Sequence, residues 1–252
     1  MLVPMIVLAL DTTGRPGSLA LVRDGHLLAE RAGDVSRSHG QRLPGDIAAL
    51  TREFDLSVSA IDLYAVAAGP GSFTGLRVGI ATIQGLALAG GRRVVPVSAL
   101  EALACRVRPA AESLAAAWID AQRGEVFAAL YSVEATEELA LDPSTGVREV
   151  EPPVVGRPAD VLDAWRGRLR DRRDPIVFAG DGALAHRETI GRTLASRARI
   201  VDPAPLLAAT LAGIAVARAD RGAAVPPHAI VPIYVRRPDA ELARERRAGP
   251  CS

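Results

Sequence analysis

The sequence predicts an α/β protein of two lobes, and three observations carry that reading. Short apolar runs of strand length alternate with stretches whose apolar residues recur at helical spacing. Glycine-rich turns follow several of the strand-like runs. The first series of alternations ends near Arg106 and Pro109, so the lobe boundary is placed after residue 104. With 252 residues and 49% apolar side chains, the chain has the material to bury cores of that size.

Taken in order, the first lobe (1–104) opens with extended segments at residues 6–10, 18–22 and 27–31. Turns at 14–17 and at Asp24-Gly25 join them as a meander, Asp-Gly being a strong hairpin signal. Leu43, Ile47, Leu50 and Phe54 then fall at helical spacing, behind a cap from Ser36 or Ser38 and with Pro44 in a tolerant first turn. A buried strand follows at 63–68. The loop Gly69-Pro70-Gly71-Ser72-Phe73-Thr74 opens a second helix with Leu76, Ile80, Ile83 and Ala87 on one stripe. Residues 94–97 make a further strand, and Ser98 with Glu101 makes a capping box for a third helix.

The second lobe (105–204) is patterned more weakly. Residues 114–120 and 126–132 read as a hairpin about Arg123-Gly124, and 142–158 as a charged, proline-rich stretch without an assigned element. A helix over about 160–170, a strand over 176–179 and the loop Gly180-Asp181-Gly182 come next. An alanine-rich helix at about 205–220 returns to the first lobe, and residues 237–252 read as a disordered tail.

Composition excludes several functions. The net charge of +1 provides no global field for nucleic acid, and 4% aromatics leaves few rings for unpaired bases, so any RNA role is shared with a partner. The chain has no lysine, which removes P-loop and Schiff-base chemistry. Cys105 reads as a buried structural thiol, Cys251 lies in the polar tail, and the pair indicates a cytosolic chain. The apolar start runs directly into Asp11 and Thr12 rather than a cleavage site, and Met5 serves as well as Met1 for a beginning. The longest apolar candidate, after Gly71, is broken by Arg77 and Gln84, so no membrane span is expected.

The segment 69–75 is the sharpest motif. Its N–H groups and helix end suit an anion, while a tight turn capped by Ser72 or Thr74 explains it equally. Asp11 and Thr12 after the first strand, and Gly180 and Gly182 after a later one, complete a weak set of nucleotide-binding candidates with Gly69, Gly71 and Ser72. A carboxylate at a first hairpin and glycine loops after later strands suggest the actin-like ATPase architecture. No metal ligand set is found: His26, His39, His186 and His228 share no ligand spacing, and HxxxH, HExxH and CxxC are absent. Gly75, Gly79 and Gly85 thin the second helix, each at roughly 1 kcal/mol relative to Ala. Close packing on the chain's own sheet or on a second subunit are the two explanations.

Five blocks together resemble the TsaB family, also called YeaZ: IVLALDTT at 6–13, SHGQRLP at 38–44, GPGSFTGLRVG at 69–79, VSALEALA at 97–104 and IDAQRGEVFAALY at 119–131. Later matches are 176–182 and PIYVR at 232–236. The resemblance implies an actin-like fold of two lobes and a supporting, non-catalytic role in making threonylcarbamoyladenosine beside the tRNA anticodon. Its implied partners are a TsaD-like transferase, whose metal is held by an HxxxH motif, and a TsaE-like ATPase, with a homodimer when alone and tRNA met only through the complex. No cofactor of its own is implied. Carried onto this chain, the interface consists of Leu43, Ile47, Leu50 and Phe54 with Gly75, Leu76, Gly79, Ile80 and Ile83. An ATP-dependent small-molecule kinase of the same fold is the alternative, and a peptidase a more distant one.

Overall fold

The computed structural model describes residues 5–107, 113–134, 142–170 and 176–236. The expected tail, Cys251 and the choice between Met1 and Met5 as start lie wholly or partly outside these residues.

In the first lobe, β1 (Ile6–Asp11), β2 (Ser18–Arg23) and β3 (His26–Ala32) form an antiparallel meander. Asp24 and Gly25 both take positive φ, +53° and +78°, as a two-residue hairpin matched to strand twist requires. Helix α1 (His39–Glu53) leads to β4 (Leu63–Gly69), and α2 (Phe73–Gly90) to β5 (Arg93–Ser98). Both strands run parallel to β1, giving the order β3-β2-β1-β4-β5. After α3 (Ala99–Arg106) the plan repeats: β6 (Ser113–Asp120), β7 (Val126–Val133) and β8 (Val147–Gly156) form a meander. Then come α4 (Pro158–Ala164), α5 (Arg166–Arg170), β9 (Ile176–Ala179), α6 (Asp181–Ala185), α7 (Arg187–Leu194) and β10 (Ala198–Ile200). The second order, β10-β9-β6-β7-β8, is the first one duplicated. This repeated unit is the actin-like arrangement. Helix α8 (Ala208–Asp220) then packs on the first sheet.

Alternation along the strands assigns the layers, because successive side chains point to opposite faces. Leu8, Leu10, Tyr64 and Val66 face α1 and α2, whereas Val7, Ala9, Ala65 and Ala67 face α3 and α8. The second sheet turns Ala115, Ala117 and Ala129 to the same middle layer, and Trp118, Leu130 and Phe178 to α4–α7. Alanine on both inner faces lets α3 and α8 lie between the sheets, so one core joins the lobes.

Several local expectations are corrected. Pro44 stands inside α1, beyond its first turn, where it faces solvent. Ser98 Oγ accepts from Glu101 N at 3.4 Å, but the Glu101 carboxylate ties α3 to α8 through Arg218 at 2.5 Å, leaving the capping box half formed. The helix expected over 160–170 is two helices, because Trp165 leaves the axis to set its ring edge-on to Trp118, 6.2 Å between centroids. The proline-rich stretch contains β8, an edge strand whose register shifts against β7 leave room for Pro152 and Pro153.

Candidate functional site

A cleft of about 1180 Å³ lies where the C-terminal ends of β1, β4, β6 and β9 meet, lined by the hairpin after β1, the start of α1, the loop before α2 and the turn after β6. Asp11 ends β1, buried two residues before Thr13 of the cleft lining. Its Oδ1 accepts from Thr13 N at 2.8 Å and Thr13 Oγ1 at 2.6 Å, turning the carboxylate into its own backbone. Burial pushes this carboxyl above the usual range, the charges of Asp181 and Glu30 push the same way, and the Thr13 bonds oppose them. Asp181 opens α6 on the other lobe and accepts from Asp120 N at 2.9 Å and Gly182 N at 2.8 Å. It too is raised, first by burial and then by Asp120.

The glycines offered to a phosphate are filled by the chain's own atoms. A Cβ at Gly71 would lie 2.5 Å from Thr13 Cβ, one at Gly69 2.7 Å from Ile233 O, and one at Gly182 2.8 Å from the Ile119 carbonyl carbon. At Gly75, Gly79 and Gly180 it would overlap Thr12 O, Thr12 Oγ1 and Trp118 O. The loop's N–H groups are engaged as well: Ser72 N donates to Thr13 O at 2.8 Å, Leu76 N to Ser72 O at 2.8 Å, and Gly75 N to Ser72 Oγ at 3.3 Å. Close packing accounts for all six glycines without a ligand. Among the described residues, no group of three or more His, Cys, Asp or Glu side chains is placed to hold a metal ion.

Sequence reading missed what fixes the hairpin. Gln41 Oε1 accepts from Ser38 N at 3.0 Å and starts α1, which projects His39 and Arg42 back toward residues 14–17. Arg42, 2% exposed, donates to Asp46 at 2.7 Å, to His39 Nδ1 at 2.9 Å and to Pro16 O. His39 Nε2 meets Gly14 O at 3.1 Å. Burial, followed by the Arg42 charge, lowers the imidazole pKa, so a neutral ring accepts from arginine and donates to Gly14. The SHGQRLP block contained this signal, but only the positions of two glycines reveal it: Gly33 and Gly17 leave the slot that the guanidinium fills.

The segment 230–236 was also without an assigned role. Ile233 N donates to Ala68 O at 2.7 Å on the first lobe, and the Tyr234 ring lies 5.6 Å from that of Phe73. Arg236 then donates to Ala121 O at 3.0 Å and pairs with Glu125 on the second lobe. The chain thus crosses the cleft as a strap and forms one of its walls.

The residues assigned to a partner interface occupy the inner side of their helices. Of the nine, eight are buried, and Leu43, Ile47, Leu50, Ile80 and Ile83 pack with Leu8, Leu10, Tyr64 and Val66. Phe54 is partly buried against the same cluster. Apolar spacing finds the buried stripe of a helix, and here the chain's own sheet covers it. What faces outward includes a run of mostly small, uncharged residues, Pro44, Gly45 and Ala49 on α1 and Ala81, Gly85 and Leu88 on α2, with Leu88 74% exposed and with Gln41, Arg52, Glu53 and Arg77 exposed on the same helices. By length and composition alone α2 passes for a membrane span, a test that a core helix of a folded domain also passes, and its buried stripe packs on the first sheet.

Comparison with known proteins agrees with this architecture. The family model for TsaD, tRNA N6-adenosine threonylcarbamoyltransferase, matches residues 33–243. The chain is 28% identical over 242 residues to the tRNA threonylcarbamoyladenosine biosynthesis protein TsaB of Bacillus subtilis, covering 94% of this chain and 96% of that protein. Among solved structures, YeaZ from Pseudomonas aeruginosa superposes with a TM-score of 0.72 at 30% identity, covering 91% of this chain and 99% of its own. A second, described as similar to peptidase YeaZ from the same organism, gives 0.74 at 31%, covering 92% and 100%. By sequence, architecture and near-complete coverage, the chain belongs to the TsaB (YeaZ) family, within the wider group that the TsaD model describes.

Proposed function

We propose that this chain is the supporting subunit of the assembly that forms threonylcarbamoyladenosine in tRNA, and that it docks a TsaD-like transferase rather than performing the transfer. The carrying observation is its end-to-end similarity to a protein named for that biosynthesis. Among the described residues, the side chains best suited to chemistry are engaged in holding the fold. Both nitrogens of His39 are engaged in holding the hairpin, and Asp11 accepts hydrogen bonds from Thr13. The glycines that a kinase would turn toward phosphate pack on the chain's own atoms.

The docking face is assigned to the outer side of α1 and α2. An apolar helix face left in water is one that a partner covers, and small residues let another helix approach closely. Homodimerisation of the isolated chain uses the same face, a TsaE-like ATPase joins the assembled pair, and the work is cytoplasmic. Ala81→Arg with Leu88→Asp tests this, since both positions are exposed and the variant is expected to fold, as an unchanged urea midpoint would show. Titration calorimetry against the TsaD-like subunit is expected to show at least a tenfold loss of affinity, and unchanged affinity refutes the assignment. Reconstitution with tRNA and the threonylcarbamoyl adenylate separates the two activities: turnover by this chain alone overturns the non-catalytic reading.

A further inference from the structure

The protein has nine aromatic rings, and two of them are exposed: Phe73 at 40% and Tyr234 at 41%. They are 5.6 Å apart with a tilt of 37°, one at the start of α2 and the other on the strap, both on the cleft wall. The Arg77 guanidinium lies over the Phe73 ring, 3.9 Å from its centroid. Arg15 and Arg37 line the same cleft and are exposed. None of these three arginines is ion-paired with a carboxylate among the described residues; Arg37 donates to Gln41 O. Of the acidic residues lining the cleft, Asp181 turns an oxygen to backbone N–H groups and Asp120 accepts from Gln122.

We infer that this rim binds a segment of single-stranded RNA. Phe73 and Tyr234 offer the stacking platform for an unpaired base, and Arg15, Arg37 and Arg77 take the flanking phosphates. Aromatic faces with guanidinium planes are how proteins hold unstacked bases, and arginine beside them that is in no ion pair, Arg15 and Arg77 above all since Arg37 feels the Asp34 charge, attracts a polyanion. The strap builds the platform, since it places Tyr234 beside Phe73 through the Ile233–Ala68 bond. A free nucleotide shares this chemistry and an acidic peptide shares its charge, so both are arms of the test. The inference deepens the function proposed above and rests on it only for which RNA is met.

The probe is a labelled single-stranded RNA of about ten nucleotides, followed by fluorescence anisotropy on the full chain, alone and with the TsaD-like subunit. Expected is salt-dependent binding tighter than to the same sequence as a duplex. Phe73→Ala with Tyr234→Ala should weaken it at least about tenfold, one stacked base being worth that factor. Phe73→Tyr with Tyr234→Phe should retain it. Because the double alanine variant also loosens the strap, Arg15→Gln with Arg77→Gln is measured beside it and should weaken binding and flatten the salt dependence. Undiminished RNA binding in either double variant overturns the inference, as does tighter binding of ATP or of polyglutamate than of RNA. Calorimetric binding of the TsaD-like subunit by the same preparations separates the two failures: loss of RNA binding alone refutes this site, and loss of partner binding by the wild type refutes the functional reading.

Discussion

Gly79→Ala tests whether the glycine seam of α2 serves the chain's own sheet. An added Cβ would overlap Thr12 Oγ1 and lie 3.0 Å from Thr12 Cγ2 and 3.1 Å from Thr12 Cβ. Thr12 is fully buried at the end of β1, and its carbonyl abuts Gly75 one turn earlier, so α2 must lift off the strand. Overpacking of this kind costs about 1–3 kcal/mol, against the roughly 1 kcal/mol that alanine adds to a helix interior. An overlap this deep with a fully buried side chain belongs at the upper end, about 2–3 kcal/mol, so the net expectation is a loss of about 1–2 kcal/mol in urea unfolding. Thr12→Ala removes the two nearest of these atoms, Cγ2 and the buried Oγ1 that has no hydrogen-bond partner, and leaves Cβ at 3.1 Å. The pair Thr12→Ala/Gly79→Ala should therefore return close to wild type, with a coupling of about 1–2 kcal/mol in the double-mutant cycle. Additive losses, or a Gly79→Ala protein as stable as the wild type, would refute the packing argument. Gly79→Leu, the natural probe if Gly79 belonged to a partner interface, is for the same reason expected to damage the monomer.

Three further outcomes follow from the cleft. Asp11 has a raised pKa, chiefly through burial, so the folded chain holds this proton more tightly than the unfolded one. Its contribution to stability is complete below the ordinary value of 3.8 and is lost as pH rises through the folded value. Asp11→Asn keeps an acceptor for Thr13 and should raise the urea midpoint at neutral pH, by an amount that shrinks on acidification; a lower neutral midpoint counts against it. His39 has the opposite sign: its lowered pKa gives stability that is present above 6.5 and lost as pH falls through the folded value. His39→Gln should flatten that part of the profile in urea midpoints taken across pH, and an unchanged slope means another group is responsible. Gly33→Ala places a methyl on the Arg42 guanidinium and should cost about 3 kcal/mol by the same assay, the scale of breaking a buried charged contact.

The parts of the fold legible in the sequence are those governed by local rules. Asp24-Gly25, the Ser38 cap, the strand at Ile176–Ala179 and the α2 stripe each follow from a few adjacent residues. Helix α7 and strand β10 were missed because little marks them: α7 buries only Ile190 and Leu194, and β10 has three residues. Strand β8 was hidden because Pro152 and Pro153 argue against a strand unless its edge position is known. The site was less legible. A glycine in the sequence announces that something comes close, but not what, and residues 12, 13, 118, 119 and 233 come close only through long-range pairing. The nine interface positions share that ambiguity, since helical spacing marks a covered stripe without saying which surface covers it.

The same ambiguity bears on how an actin-like architecture would serve the proposed docking role. Two meanders facing each other leave a cleft at the ends of their parallel strands, where α/β folds bind ligands. In this chain Thr12, Thr13 and Ile233 occupy the space beside the first-lobe glycines, and the strap joins Ala68 to Ala121 across the opening. With α3 and α8 shared between the sheets, relative motion of the lobes must break the strap's bonds and part of the common core. Hinge closure around a nucleotide is therefore opposed at both places, and the two proposals above place binding on outward surfaces instead: the exposed side of α1 and α2, and the aromatic, arginine-lined rim. Because α2 contributes Leu88 to the first and Phe73 to the second, a protein seated on the helices has the rim at its edge.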